Sequence, residues 1–279
     1  VSCGLAHGTL LLSDVPFPGS TSTLLQVGGD RRDAGPLSPQ RPPFCPAKHL
    51  GERRALPAEL RGRGVAAGVA VLLEASTGRI LLTRRAGTLR AFPSVWVPPG
   101  ESGLGGGHGA LVTLGLLDVG LRELAEETGL RLDAGTFSWR LLGLWESLYP
   151  PMLSRGLPRR HHIVAYLLLR SDEPHERLEA RMCPSESEVS AYAWLEPAVL
   201  AAIAATEDGA ESSGDVPSAL PATVGIVELS SGSSSSARLP TSTLLRTAPA
   251  QGEDLERVST GTKFALRLWL EGTRDLPHP

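Results

Sequence analysis

Aromatic residues make up only 5% of the chain, so any core must be built mainly from aliphatic side chains. Cysteine is as sparse: Cys3, Cys45 and Cys183, an odd number with no C-x-x-C pair. That argues against a disulfide framework and against a zinc cluster, and it points to a reducing, intracellular and cytoplasmic setting. No apolar run reaches the roughly 18 residues that a membrane-spanning helix requires, so no membrane partner is expected. Positive charge is not in excess either: the formal net charge is −3, and no overall basic field advertises nucleic-acid binding. A protein of this charge that handles polyanions needs local cations or metal ions.

What the sequence does have is Gly and Pro, 31 and 23 residues of the 279, beside an ordinary 41% hydrophobic and 20% charged content. The expectation is a modest core with long loops, in one large domain or one medium domain with extensions.

The chain divides by pattern. Residues 1–64 are broken by "VPFPGS" and "RPPFCP" and read as a poorly defined N-terminal extension, with "GTLLLS" (8–13) a possible strand. From 65 the pattern becomes regular. "VAAGVAVLLEA" (65–75), a Gly-containing turn at 77–79 and "ILLTRR" (80–85) read as a β-hairpin, and "SVWVPPG" (94–100) as a short strand ended by prolines. Residues 101–115 are Gly-dense and read largely as a loop. Strands come next at 137–149, 161–170 and 188–195, then a short helix at 197–206 with Pro197 at its first position. The folded domain is therefore placed at 65–206. Residues 207–257, with "SSGSSSSA" at 230–237, read as a Ser/Gly/Pro-rich linker, and 258–279 as a C-terminal helix and tail.

The strongest helical spacing lies in "LLDVGLRELAEETG" (116–129). At about 100° per residue, Leu117, Leu121 and Leu124 form one stripe, while Glu123, Glu126 and Glu127 crowd together on the opposite side. Gly129 suits the left-handed residue just past a helix end. Carboxylates at i, i+3 and i+4 repel one another, and Glu126 and Glu127 also sit near the negative end of the macrodipole. A hard divalent cation, which takes oxygen ligands and also binds phosphates, would relieve both penalties. The bland alternative is a solvated Glu-rich face offset by Arg122.

Residues 122–130, "RELAEETGL", carry R-E-[apolar]-x-E-E-x-G-[apolar], and in this the chain resembles the second half of the Nudix box. The flanking hairpin, the "VWVPPG" stretch and the "EVSAYAWL" strand are similar to a Nudix domain as well. The resemblance implies an α+β fold, an α/β/α sandwich around a mixed sheet. It implies Mg²⁺- or Mn²⁺-dependent hydrolysis of the diphosphate linkage in nucleoside diphosphate derivatives, with a nucleotide or 7-methylguanosine-capped RNA as substrate. Carried onto this chain, Glu123 and Glu127 would be the metal ligands, Glu126 a further ligand or the base that activates water, and Arg122 the residue that orients the glutamates.

The first half of the box departs from the pattern. Eight residues before Arg122 the family's Glu is replaced by Leu114, and its first Gly by His108. "ESGLGGGHGALVTLG" (101–115) stands where a short Gly turn and acidic residues belong, as a divergent insertion or translated noncoding sequence, and the first helical turn loses its usual carboxylate. This raises a second reading, a Nudix-fold binding protein with impaired catalysis.

Four other features carry both a functional and a structural reading. Glu188 can be a supporting ligand or a strand-end acid. Arg84 and Arg85 can meet phosphates or simply end a strand. His161 and His162 fit packing or a satisfied hydrogen bond better than a metal. Trp96, Trp139, Trp145 and Trp194 can stack on a base, though core packing is the default for each.

Overall fold

The computed structural model describes residues 2–6, 9–13, 15–18, 20–26, 66–100, 115–151, 155–157, 160–208, 216–248 and 255–274. The expected loop at 101–114, with His108 and Leu114, lies outside them. Two strands form the centre: β5 (Ala66–Glu74) and β9 (Arg160–Ser171), parallel from Ala66↔His162 to Glu74↔Arg170, where β1–β4 are Ser2–Ala6, Thr9–Ser13, Thr21–Ser22 and Leu25–Gln26. Both strands are near-continuous apolar runs, as strands covered on both faces must be. Ala70, Leu72, Val164, Tyr166 and Leu168 face one core, and Val69, Val71, Leu73, Ala165, Leu167 and Leu169 the other.

Around this pair the sheet is mixed. The expected hairpin forms, β5 turning into β6 (Ile80–Arg85), and β7 (Trp96–Val97) pairs with β6. β8 (Phe137–Tyr149) is antiparallel to β9, and β10 (Val189–Leu195) is antiparallel to β6. Helix α1 (Leu116–Thr128) packs on one face of the sheet, against β5 and β9; α2 is the short helix His175–Glu179. On the other face α3 (Pro197–Ala205) and α5 (Thr260–Arg274) pack together, α5 also against β8. Helices thus flank both faces of a mixed sheet, the α+β sandwich expected.

The linker reading of 207–257 needs correction. β11 (Thr223–Ser230) and β12 (Ser233–Pro240) form a hairpin paired from Thr223↔Pro240 to Ser230↔Ser233, with the single-turn α4 (Thr241–Leu244) directly after it. β11 adds to β10, so the hairpin extends the main sheet. Its serines mislead because β12 is the outer strand: Ser233–Ser236 are exposed, while Val224, Ile226 and Leu239 on the inner side are buried. The N-terminal region also contributes. β1 pairs with β2 and β3 in a small sheet, β4 joins the main sheet parallel to β8, and Cys3 is buried in the α1-side core.

Candidate active site

Helix α1 is tied down at both ends. At its start the Gly115 backbone N–H donates to Asp118 Oδ2 at 2.9 Å, so the one acid of the first turn serves the backbone. At its end Gly129 has φ +75°, and a Cβ there would lie 2.8 Å from the Cys183 backbone nitrogen, so only glycine fits. The helix's last carbonyls lack helical partners; those of Glu127 and Thr128 accept the N–H groups of Ser185 and Cys183 at 3.0 and 2.8 Å. This seats the 183–188 segment on the helix terminus and brings Glu188 to the glutamates.

The helix is rotated from the face that the leucines suggest. Leu124 is buried and Leu117 and Leu121 are half-buried, but the buried side runs through Val119, Gly120, Leu124, Glu127 and Thr128. Gly120 lets the helix approach closely, since a Cβ there would stand 3.0–3.3 Å from Val71, Leu167 and Val69. The three glutamates therefore do not share one solvent face. Glu127 is 3% exposed, the Glu123 side chain 15% and the Glu126 side chain 60%. Arg122 lies between the outer two, its Nη2 3.2 Å from Glu123 Oε1 and its Nε 3.7 Å from Glu126 Oε1.

Burial pushes the Glu127 carboxyl up to about 7. The Gly100 backbone hydrogen bond and the Arg85 charge pull it down, and Glu188 and Glu123 push it up. Burial likewise holds Glu123 above the ordinary carboxylate range; its hydrogen bond from Arg122 opposes this, and Glu126 and Glu188 add to it. Glu123, Glu127 and Glu188 thus act on one another as like charges in a poorly solvated place, which is the electrostatic condition that a hard cation relieves. The donor chemistry fits a divalent cation. Among the described residues, however, no three His, Cys, Asp or Glu side chains converge into a ready-made cluster.

The two arginines of β6 separate, as neighbours on a strand must. Arg84 is held by structure: its Nε donates to Ser190 Oγ at 2.9 Å, and its other nitrogens lie 3.1 Å from Glu228 Oε1 and 3.3 Å from Glu256 Oε1. Arg85 turns toward α1, where its charge acts on both Glu127 and His162, and its Nε donates to the Ala91 carbonyl at 3.3 Å. A bulge on β10 sits beside both. There Ser190 Oγ is placed to donate to the Arg84 and Arg85 carbonyls at 3.2 and 3.3 Å.

His161 Nε2 lies 2.9 Å from Glu146 Oε1, and His162 is buried in the β8–β9 ladder. Of the tryptophans, Trp96 and Trp194 are buried and Trp145 packs against Phe264, but Trp139 is 48% exposed, against the core default. Sequence reasoning missed Gly100. It has φ +95°, and a Cβ there would lie 2.6 Å from the Val69 carbonyl oxygen. A glycine directly after two prolines was the available signal.

Among the described residues no helix is long and apolar enough to cross a membrane. A NUDIX domain model matches residues 63–214. The chain is 52% identical over 282 residues to the Homo sapiens m7GpppN-mRNA hydrolase NUDT17, covering 100% of this chain and 80% of that protein. It is 48% identical over 276 residues to the Xenopus laevis m7GpppN-mRNA hydrolase NUDT17, covering 98% and 83%. Among solved structures, a MutT/nudix family protein from Enterococcus faecalis aligns over 83% of this chain and 75% of its own at 16% identity, with a TM-score of 0.39. With the family model spanning more than half of the chain and relatives about half identical along nearly all of it, this chain belongs to the Nudix hydrolase family.

Proposed function

We propose that this chain hydrolyses the diphosphate linkage of nucleoside diphosphate derivatives, including 7-methylguanosine-capped RNA, with Mg²⁺ or Mn²⁺. The observation that carries the reading is Glu127: a carboxylate buried beside Glu123 and Glu188, within the field of Arg85. Glu123 and Glu127 would hold the cation. When bound, such a cation clamps a diphosphate and makes a coordinated water more acidic. Glu126, the most exposed of the three, would take the proton of the attacking water, and Arg122 between it and Glu123 would orient both. Arg85 would meet the phosphates, since Arg84 is engaged elsewhere. The cap substrate is supported by the m7GpppN-mRNA hydrolase name of the relatives. An edge-to-face pair of Phe92 and Tyr149, with ring centroids 4.8 Å apart, offers a nucleobase an aromatic surface near Arg85.

Purified protein incubated with capped RNA and with nucleotide sugars, with and without Mg²⁺, tests this. Metal-dependent release of nucleotide is expected; its absence with every substrate would sink the reading. The alternative, a Nudix-fold binding protein with impaired catalysis, is favoured by Leu114 and His108 at the positions of the family's Glu and Gly. Restoring a short loop with an upstream Glu separates the two: activity only in the repaired chain favours the binder.

A further inference from the structure

Chain beyond the family-matched residues 63–214 returns to the site. Residues 255–259 run beside β7. The Trp96 N–H donates to the Arg257 carbonyl at 2.8 Å, and the Ser259 N–H to the Trp96 carbonyl at 3.0 Å, making a parallel bridge between Trp96 and Val258. The side chains repeat the tie. Trp96 Nε1 donates to Glu256 Oε1 at 3.0 Å, Arg84 reaches the same oxygen at 3.3 Å, and the Arg84 guanidinium sits 5.8 Å from the Trp96 ring centroid.

Trp96 and Val97 together anchor the chain before it enters the site, Val97 through the Thr83 hydroxyl, which donates to its carbonyl at 3.3 Å. β7 is two residues long and meets β6 at only Thr83↔Val97 and Arg84↔Trp96. Pro98 and Pro99 come next, and neither has an N–H with which to anchor itself. The next donor is Gly100, whose N–H serves the buried Glu127 carboxylate. Its position is set from two sides: by Pro99, whose carbonyl accepts the Val71 N–H at 2.9 Å, and by Trp96. The second support for Trp96 is the C-terminal segment. The β11–β12 hairpin adds a strut on the other flank, where the Gly232 N–H donates to Glu186 Oε1 at 2.7 Å, two residues before Glu188.

We infer that the C-terminal segment is a working part of the site, and that Glu256, acting through Trp96, is a positioning residue for the Gly100 hydrogen bond to Glu127. This rests on the reading of Glu127 as a metal ligand. In the competing account Glu256 only neutralises Arg84, and its loss lowers stability without reaching the site.

The test uses the full chain and four readouts: Mn²⁺ affinity by electron paramagnetic resonance of free Mn²⁺, kcat, KM and thermal midpoint. Glu256→Ala is expected to weaken Mn²⁺ binding and to lower kcat about tenfold, with KM little changed, in line with the 10- to 100-fold typical when a partner of a metal ligand is lost. Glu256→Gln keeps an acceptor for Trp96 Nε1 and should restore most of both. Trp96→Phe should reproduce Glu256→Ala, and the double variant should be no worse than either. A Glu256→Ala that shifts only the thermal midpoint, or a double variant whose effects multiply, overturns the inference; if Glu256→Ala does not fold, Trp96→Phe with and without Glu256→Gln decides it in the same way. Glu127→Gln is the control. If it leaves Mn²⁺ affinity unchanged, the site reading itself falls; if it weakens binding while Glu256 and Trp96 variants do not, only the inference does.

Discussion

Among the described residues, two of the places that bury charge resolve it in opposite ways. On the α5 side Lys263, fully buried, meets Asp208 at 2.8 Å. Burial alone would raise the Asp208 carboxyl, but the Lys263 charge and hydrogen bond, with the Ala248 N–H, outweigh it and hold the group below its ordinary value. On the α1 side burial and the like charges of Glu188 and Glu123 outweigh Arg85 and the Gly100 N–H, and the Glu127 carboxyl is driven up. A buried charge met by a partner is largely compensated, although burial still pulls the Lys263 ammonium below its ordinary range against Asp208. One that its neighbours repel burdens the fold, and a bound cation relieves it. The difference sets the ion pair apart from the glutamates for which a cation is proposed, without reference to any relative.

Breaking the balanced side should have the largest effect. Lys263→Met leaves Asp208 buried without its counter-charge and should cost about 3–5 kcal/mol in denaturant unfolding, whereas replacing both residues by apolar ones of similar volume should recover most of it.

A buried base with cationic neighbours gives the next effect. Burial, with His161, Arg160 and Arg85, lowers His162 from 6.5 to about 4. A depressed folded value means that the unfolded chain binds the proton first. The contribution is therefore complete above pH 6.5 and lost as pH falls toward 4, by about 3 kcal/mol. Glu127, raised in the fold, drives stability the other way over part of that range, so the measurement is the difference between the parent and His162→Gln across pH 4–7. A flat difference would refute the assignment.

On the repelled side Glu127→Gln should lower kcat by about a hundredfold or more while leaving metal-free stability unchanged or higher, because it removes a repelled charge. A loss of stability equal to that of Lys263→Met would erase the contrast. The smallest effect belongs to the exposed pair Arg79–Glu196, with side chains 34% and 54% exposed: Arg79→Ala should change stability by no more than about 0.5 kcal/mol.

Legibility from sequence depended on distance along the chain. "RELAEETGL" fits within three helical turns, so its spacing showed that the glutamates crowd together, while the roles given to them and to Arg122 came from the resemblance to the Nudix box, and Glu188 was open between a supporting ligand and a strand-end acid. The central strands were legible from their apolar runs. The orientation of α1 was not, because Gly120 and the sheet valines, rather than Leu117 and Leu121, decide which side is buried. The β11–β12 hairpin was hidden by composition, since an outer strand can open on four serines when its inner partner supplies most of the apolar contacts. The ties of Trp96 to Glu256 and Asp208 to Lys263 cross 160 and 55 residues, and no local pattern announces either.

The Ser190 bulge has a further consequence. A strand presents successive residues to opposite faces, so a slip of β6 by one residue would exchange Arg84 with Arg85, sending the arginine bound by Glu228 and Glu256 toward Glu127 and the other into the ion-pair network. One hydroxyl lies between the carbonyls of both and accepts the side chain of the first, so it favours the register in which Arg84 faces the ion pairs and Arg85 faces Glu127. Ser190 thus adds a side-chain tie to the β10 and β7 pairings that hold β6 in register.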